Sequence, residues 1–479
     1  MDTAVVWFRD DLRVDDNPTL ADAVSTANHV VPLYVFDPRR RGETQYGTAK
    51  LGPHRARFRR ESVAALRASL RGRDGELLLG DGPVEAVVPS VAEAVDADAV
   101  FAQTKPATEE VNAEYAVEDA LPEETELHRR WTHTLYHIND LPTRYDRIDD
   151  TFTPWRKEVE AGASVREPVA APETVPVPDP LPGARGKPGA IPTLADLGIE
   201  EPPEDDRAVL GFEGGEPAGK RRVESYLWAG DHLREYKATR NGLLGADYSS
   251  KFSPWLAAGC LSPRWLHREV ARYEDERVEN EDTYWLVFEL AWRDFFQFQL
   301  LKHGGDFFTP SGIRGVEKRW NRDREAFRRW ADGETGVPFV DANMRELNRT
   351  GYMSNRGRQN VASFLADALE IDWRWGAAYF EATLVDYDVA SNWGNWAYQA
   401  GVGNDSRDNH FDVLSQAEYY DGDAEYVRTW LPALDGLPPA YAHRPWRMDS
   451  EEQAEYGVEL GVDYPRPMLD IEARLDELG

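Results

Sequence analysis

The chain of 479 residues is long enough for two or three domains with substantial cores. Its 55 Lys and Arg stand against 86 Asp and Glu, a formal net charge of −31 spread through runs such as VEDALPEETEL, EEPPEDD and EDERVENED, which excludes a dedicated acidic tail and reads as adaptation to high salt. One cysteine, Cys260, excludes disulfides within the chain and any cysteine-rich metal site; it is read as a small buried packing residue.

The alternative to high-salt adaptation is an ordinary acidic cytosolic surface. Neither excludes nucleic acid, because local patches rather than net charge govern that binding. The start, MDTAVVWFRDDLR, runs straight into a strand pattern with no basic leader, and no segment has the apolar length of a membrane span; the expected location is the cytoplasm. Apolar runs at 4–8 (AVVWF), 29–36 (HVVPLYVF), 76–80 (ELLLG), 99–103 (AVFAQ) and 126–131 (ELHRRW) alternate with amphipathic segments. One of these, FRRESVAALRASLRG, sets Phe58, Val63, Leu66 and Leu70 on one face. Over 1–132 the alternation predicts an α/β domain with a parallel five-stranded sheet covered on both faces. No G-x-G-x-x-G follows the first strand; WFRDDLRVDDNPTL takes its place, so ordinary dinucleotide binding is not expected. In WTHTLYHIND, His133 and His137 could be read as metal ligands, but a strand with surface imidazoles is the better reading. No metal is expected.

Residues 133–206 read as a long interdomain connection, Pro-rich from about 163, where REPVAAPETVPVPDPLPGARGKPGAIP cannot sustain a helix or a central strand. From 207 to 479 the pattern is helical, and TYWLVFELAWRDFFQFQLLKH places Trp285, Phe288, Trp292 and Phe296 at 3,4 spacing. No internal repeat is present. The segment YSSKFSPWLAAGCLSP puts Ser249, Ser250, Lys251 and Ser253 in a polar turn before an apolar helix. That is a phosphate cradle on one reading and a plain N-cap at Ser253 followed by proline on the other. From Asn343 to Tyr398, amides, tryptophans and paired opposite charges are concentrated, with Asp386 and Asp388 preceding Asn392, Trp396 and Tyr398. Such a stretch suits a large aromatic, polar cofactor. The GVGND turn at 401–405 is too short for a nucleotide fingerprint.

Taken in order, WFRDDLRVDDNPTL, YSSKFSPWLAAGCLSPR, ELAWRDFFQF, TGYMSNRGRQNVASFL and DYDVASNWGNWAYQAGVGND closely resemble the photolyase/cryptochrome family, and within it the DASH-type cryptochromes. The resemblance covers nearly the whole chain. It implies an N-terminal α/β domain joined by a long connection to an all-α C-terminal domain that holds FAD in a bent conformation. Position by position, it implies a flavin site of Tyr236, Ser249, Ser250, Lys251, Phe252 and Ser253, with 249–253 around the diphosphate. Glu289, Arg293, Asn355, Arg358, Asp386, Asp388 and Asn392 complete it. The resemblance further implies that Arg358 and Asp386 form an ion pair beside the flavin ring and that Asn392 presents its amide to N5, groups that help a flavin hold a negative, fully reduced state. Without the resemblance, Arg358 and Asp386 would read as a structural bridge between helices. Trp396, Trp373 and Trp320 match the tryptophans through which the family passes electrons to photoexcited flavin. With 16 Trp in the chain, core packing is the alternative. Tyr398, Trp330 and Trp393 read as pocket-rim or packing residues.

The same resemblance assigns Glu289, Trp292, Arg293, Asn355, Arg356, Gln359 and Tyr398 to the surface that accepts a flipped pyrimidine dimer, with Trp292 stacking on the bases and Glu289 hydrogen-bonding them. Gln359 stands where a methionine is usual in dimer photolyases, and Tyr398 where a second tryptophan is usual. Both are the DASH pattern and favour dimers in single-stranded or looped DNA. GYMSNRGRQN lacks the histidine pair of a (6-4) photolyase site. Glu110, with Lys105 nearby, matches the acid that binds the pterin of a methenyltetrahydrofolate antenna; a deazaflavin, no antenna, or two solvated helix residues are the alternatives. The expected function is light-dependent repair of cyclobutane pyrimidine dimers by a monomer. The rival is a non-catalytic blue-light photoreceptor that binds DNA or a partner, which the absence of a long tail after EARLDELG disfavours. A light-independent flavin or nucleotide binder is a third reading.

Overall fold

In the computed structural model, residues 1–179, 189–405 and 410–478 are described. Five strands, β1 Thr3–Phe8, β2 His29–Phe36, β3 Leu78–Asp81, β4 Ala99–Gln103 and β5 Glu126–Arg130, form one sheet in the order β3-β2-β1-β4-β5. Every pairing is parallel. β1 and β4 are buried at every position, which is why they read as unbroken apolar runs. β5 is the polar edge strand, half-buried and rich in charge. Helices cover both faces, among them Pro53–Arg71, whose Phe58, Val63, Leu66 and Leu70 face the core as the periodicity predicts. β3 starts two residues later than the apolar run suggests. Glu76 instead turns its carboxylate to Arg67 and Arg71 and receives the Leu77 amide.

The strand order reverses at β1, where an open α/β sheet places its ligand crevice. Here the loop after β1 docks the helical region instead. Arg13 Nη1 donates to the Gly259 carbonyl at 2.9 Å, the Val14 amide to Glu216 at 2.8 Å, and Lys220 pairs with Asp15 at 2.8 Å. Gly259 has φ +68°, and a Cβ there would lie 1.9 Å from the Asp10 carbonyl oxygen, so only glycine permits this approach. Asp16, fully buried, accepts from Ser262 and from Arg264 across the interface. Asp16→Asn keeps the shape and suits the φ of 47° at this residue, yet leaves the Arg264 charge buried without its partner. The expected cost is about 3–5 kcal/mol in a urea unfolding curve; a loss under about 1 kcal/mol would place the pair among the inert ones.

The connection contains a helix, Phe152–Gly162, and its Pro-rich part lies along the α/β domain. The Val169 amide donates to Asp16, the Val175 amide to the Arg73 carbonyl at 2.7 Å, and the Pro176 carbonyl accepts from the Val30 amide at 2.6 Å. Residues 180–188 of this stretch lie outside the described residues. His133 and His137 are not on a strand, because β5 ends at Arg130. His133 is not a surface imidazole either: it is buried against Trp131, and burial beside Lys105 and Arg293 holds its ring neutral. Tertiary packing overrode the alternation there. Beyond Glu216 the described chain is helical, with the Glu281–His303 helix at its centre. Its C-terminal half is buried, from Asp294 to Leu300, and Asp294 accepts the Leu135 and Tyr136 amides. No described helix is long and apolar enough to cross a membrane.

Candidate active site

Three separate segments converge on Asp386. Ser253 is the first residue of the short Ser253–Ala257 helix, which Phe252 precedes as cap. Rather than capping that helix, Ser253 Oγ donates to Asp386 Oδ2 at 2.6 Å. Arg358, on the Asn355–Ser363 helix, donates from Nη2 to the same oxygen at 2.9 Å and from Nε to the Met353 carbonyl. Burial opposes the Arg358 charge, but Asp386 more than offsets it and the guanidinium titrates above its ordinary range. Asp386 Oδ1 is buried without a partner. Upstream, Lys251 takes a left-handed backbone, φ 55°, and points its Nζ at the Tyr248 ring, 3.2 Å from the centroid. That Nζ is buried with no hydrogen-bond partner; burial first, then Arg222, pushes its pKa down to about 7. Arg222 gathers the Ser249 and Ser250 carbonyls and Asp247, which shapes the turn from behind. Tyr236 is buried edge-on to Tyr226.

Around this core lies a rim. Ser354 caps the Asn355–Ser363 helix through the Gly357 amide, which leaves Asn355 exposed at its first turn. Arg356 lies over the Tyr420 ring at 4.7 Å and reaches Gln416 and Asn241. Gln359 is half-buried with Oε1 unpartnered. Glu289 is held by Arg240 at 2.7 Å; burial pushes its carboxyl up from the ordinary value, with Arg240 opposing. Trp292 stacks on Phe152 at 3.7 Å and stands edge-on to Tyr398 at 6.4 Å. Arg293 donates to the His133 and Leu256 carbonyls, joining the connection to the Ser253–Ala257 helix.

Asp388 caps the Val389–Gln399 helix through the Ser391 amide and accepts from Gln297 Nε2 at 2.9 Å. Burial would raise its pKa, but Lys105, 3.9 Å away, and Arg293 outweigh burial and keep it ionised. Its carboxylate is thus engaged toward the α/β domain. Asn392 Nδ2 donates to the Ala377 carbonyl at 3.0 Å. Trp396 packs its ring on Gly376, where a Cβ would be 2.2 Å away, and meets Phe380 and Trp330 edge-on. Trp373, fully buried, and Trp320, half-buried, both donate their indole N–H to the Pro310 carbonyl, at 3.3 and 3.1 Å. Trp393 stands edge-on to Trp373, and Trp330 donates to the Val361 carbonyl, as packing residues do.

A second cluster sits at the carboxyl ends of β1 and β4. Lys105 Nζ lies 3.4 Å from Asp10, 3.9 Å from Glu110 and 3.9 Å from Asp388. Glu110 Oε2 is buried without a partner, and burial raises its pKa against the pull of Lys105. These are not two solvated helix residues: Lys105 is 6 % exposed and precedes the helix that carries Glu110. Asp10 also pairs with Arg59 and Arg40. Among the described residues no group of three His, Cys, Asp or Glu is placed to hold a metal ion. Arg222, Arg240 and Phe152 carry no motif of their own. For the two arginines the only sequence signal is the polar turn and the acid they serve, and for Phe152 it is the Trp292 ring it stacks on.

The residues fit FAD. An unpartnered buried lysine beside two serines suits a diphosphate, and the Arg358–Asp386 pair with a free carboxylate oxygen suits a flavin edge. The family model described as the FAD binding domain of DNA photolyase matches residues 285–478, and the DNA photolyase model matches residues 4–177. A cryptochrome DASH of Natronomonas pharaonis is 71% identical over 479 residues, 100% of both chains. The crystal structure of a Synechocystis sp. cryptochrome superposes with a TM-score of 0.95 at 45% identity, covering 100% of this chain and 98% of that one. An archaeal photolyase from Sulfolobus tokodaii superposes with a TM-score of 0.80 at 26% identity, covering 99% and 98%. The chain belongs to the photolyase/cryptochrome family, as a flavoprotein of its DASH-type branch.

Proposed function

We propose that this flavoprotein is a light-driven lyase that repairs cyclobutane pyrimidine dimers, preferentially in single-stranded or looped DNA. The observation that carries the reading is the rim: the Trp292 and Tyr398 rings edge-on at 6.4 Å, Glu289 fixed by Arg240, and an unpartnered Gln359 Oε1 one residue from the Arg358–Asp386 pair. When bound, reduced FAD supplies under blue or near-UV light the electron that splits the cyclobutane ring, and recovers it afterwards. Ser249, Ser250 and Lys251 hold the diphosphate, and Tyr236, Phe252, Ser253 and Asp386 wall the site. Arg358 offers positive charge to the reduced ring, and Asn392 its amide group. Glu289 and Gln359 hydrogen-bond the extruded bases while Trp292 stacks on them; Asn355 and Arg356 face the backbone at the open helix end. Arg293 and Asp388 act by positioning, through the carbonyls and helix end they hold. Trp396, Trp373 and Trp320 form the path that recharges the flavin. We divide the chain into an α/β domain at 1–132, a connection at 133–206 and a catalytic helical domain at 207–479.

The test is a repair assay on matched single-stranded and duplex oligonucleotides with the reduced protein. Single strands are repaired in the light and duplex poorly, because extrusion from a stack costs a few kcal/mol, roughly. Dimers surviving light in both forms would leave the photoreceptor reading. The Glu110 and Lys105 cluster is the reading's antenna site, for methenyltetrahydrofolate or a deazaflavin; the Sulfolobus tokodaii photolyase was crystallised with two FAD molecules, which implied a novel light-harvesting cofactor in that protein. The net charge of −31 supports a high-salt habitat. Self-repulsion is then the main burden at low salt, and the unfolding midpoint is expected to rise steadily from 0.1 M to 1 M KCl as the screening length drops from about 10 to about 3 Å. A midpoint that does not move would refute that adaptation.

A further inference from the structure

In a chain of net charge −31, residues 314–329 carry seven Arg or Lys against three acids. Among the described residues none of the seven has a carboxylate within ion-pair distance, although the nearby Arg374 has one and Arg474 two. Three neighbouring acids are engaged elsewhere, and the exposed Glu317 and Glu325 within the strip pair with none of the seven. Asp323 caps the Arg324–Asp332 helix through two amides, Asp372 holds Arg374, and Glu370 holds Arg474. Lys318 donates to the Ala400 carbonyl and lies 5.7 Å from the Trp320 ring; Arg324 sits over Trp375; Arg319 and Arg322 are exposed. Trp320 is the half-buried indole in the middle of this strip, and its N–H is already committed to Pro310.

We infer that the strip around Trp320 is a docking site for a small anionic one-electron donor, which returns an electron to Trp320 after flavin photoreduction. This rests on the tryptophan path proposed above. One electron moves: the donor is oxidised by one electron and the Trp320 radical cation is reduced to neutral indole, with no bond made or broken. The net charge of the protein would repel an anion, but screening confines each charge to about 8 Å at roughly 0.15 M salt and about 3 Å at 1 M, so a donor seated at Trp320 feels only the strip it touches, and at high salt only at contact. A protein donor is less suited, because no large hydrophobic side chain in 314–329 is exposed and a stable protein interface buries on the order of 1,000 Å².

The experiment follows recovery of the Trp320 radical by transient absorption in flavin-loaded protein, with ferrocyanide as anionic donor and hexaammineruthenium(II) as cationic donor, at salt where flavin stays bound. The expected result is a severalfold faster second-order recovery with ferrocyanide, slowed by added salt, and a ratio that inverts in the Arg319→Glu, Arg322→Glu double variant. Both residues are exposed, so folding is not at stake, and Arg319→Gln, Arg322→Gln should fall between. A donor ratio unaffected by the variants overturns the inference. So does a double variant that loses affinity for a single-stranded oligonucleotide while the donor ratio stays, since the strip would then be a nucleic-acid contact. Trp320→Phe separates the two layers. Unchanged photoreduction in that variant would remove the path itself, whereas slowed photoreduction with a charge-blind donor ratio would remove only the docking site.

Discussion

Lys251→Met is expected to weaken FAD binding by roughly 10- to 100-fold, the worth of about 1.5–3 kcal/mol for a hydrogen bond to a charged group, while making the apoprotein more stable. The two effects have opposite signs for one reason. In the apoprotein the Lys251 ammonium is buried against the Tyr248 ring without a hydrogen-bond partner and pushed down to about 7 from 10.5, so it favours the unfolded chain, whose lysine holds its proton more tightly. Between pH 7 and the ordinary lysine value the unfolded state binds more protons than the folded one, so apoprotein stability rises with pH across that window. Methionine fills the space without the charge and should flatten the rise. Flavin binding runs the other way: the diphosphate needs the cation, so above pH 7 binding must take up a proton and affinity falls about tenfold per pH unit. Titrating apoprotein with FAD from pH 6 to 9 checks this. A pH-independent affinity, or a variant that binds FAD as well as the parent, would remove Lys251 from the cradle.

Trp396→Phe is expected to slow flavin photoreduction by roughly tenfold or more, equivalent to at least about 1.4 kcal/mol of barrier. Phenylalanine keeps the contact with Phe380 but lacks an oxidisable indole, so the first step out of the pocket is lost. The ring packs on Gly376, and the smaller side chain leaves a gap there, so a Trp330→Phe control measures packing loss on its own. Full photoreduction in Trp396→Phe, or an equal loss in the control, would take Trp396 off the path.

What could be read from the sequence follows from how local each signal is. β1, β2 and β4 are continuous apolar runs because both faces are buried, and the parallel sheet followed from their alternation with helices. The polar turn before Ser253 and the acidic pair Asp386 and Asp388 were visible because they sit in short, unusual stretches. Their separate fates were not visible. Ser253 and Arg358 meet at Asp386 across 133 and 28 residues, whereas Asp388 turns to Gln297 and Lys105. Arg222 and Arg240 look like ordinary helix cations until the fold brings Ser250 and Glu289 to them. His133 shows the converse, since a real alternation in WTHTLYHIND was overridden once Trp131 and Arg293 closed over it. The docking role of the loop after β1 was not legible: the missing glycines excluded ordinary dinucleotide binding and said nothing of what the loop touches.

The most direct measurement is the light-minus-dark loss of cyclobutane dimers from a single-stranded oligonucleotide incubated with the reduced, FAD-loaded protein under blue light. The account predicts dimer loss in the light, none in the dark, and a lower yield from the same lesion in duplex. An oligonucleotide that binds yet keeps its dimers through illumination would contradict it.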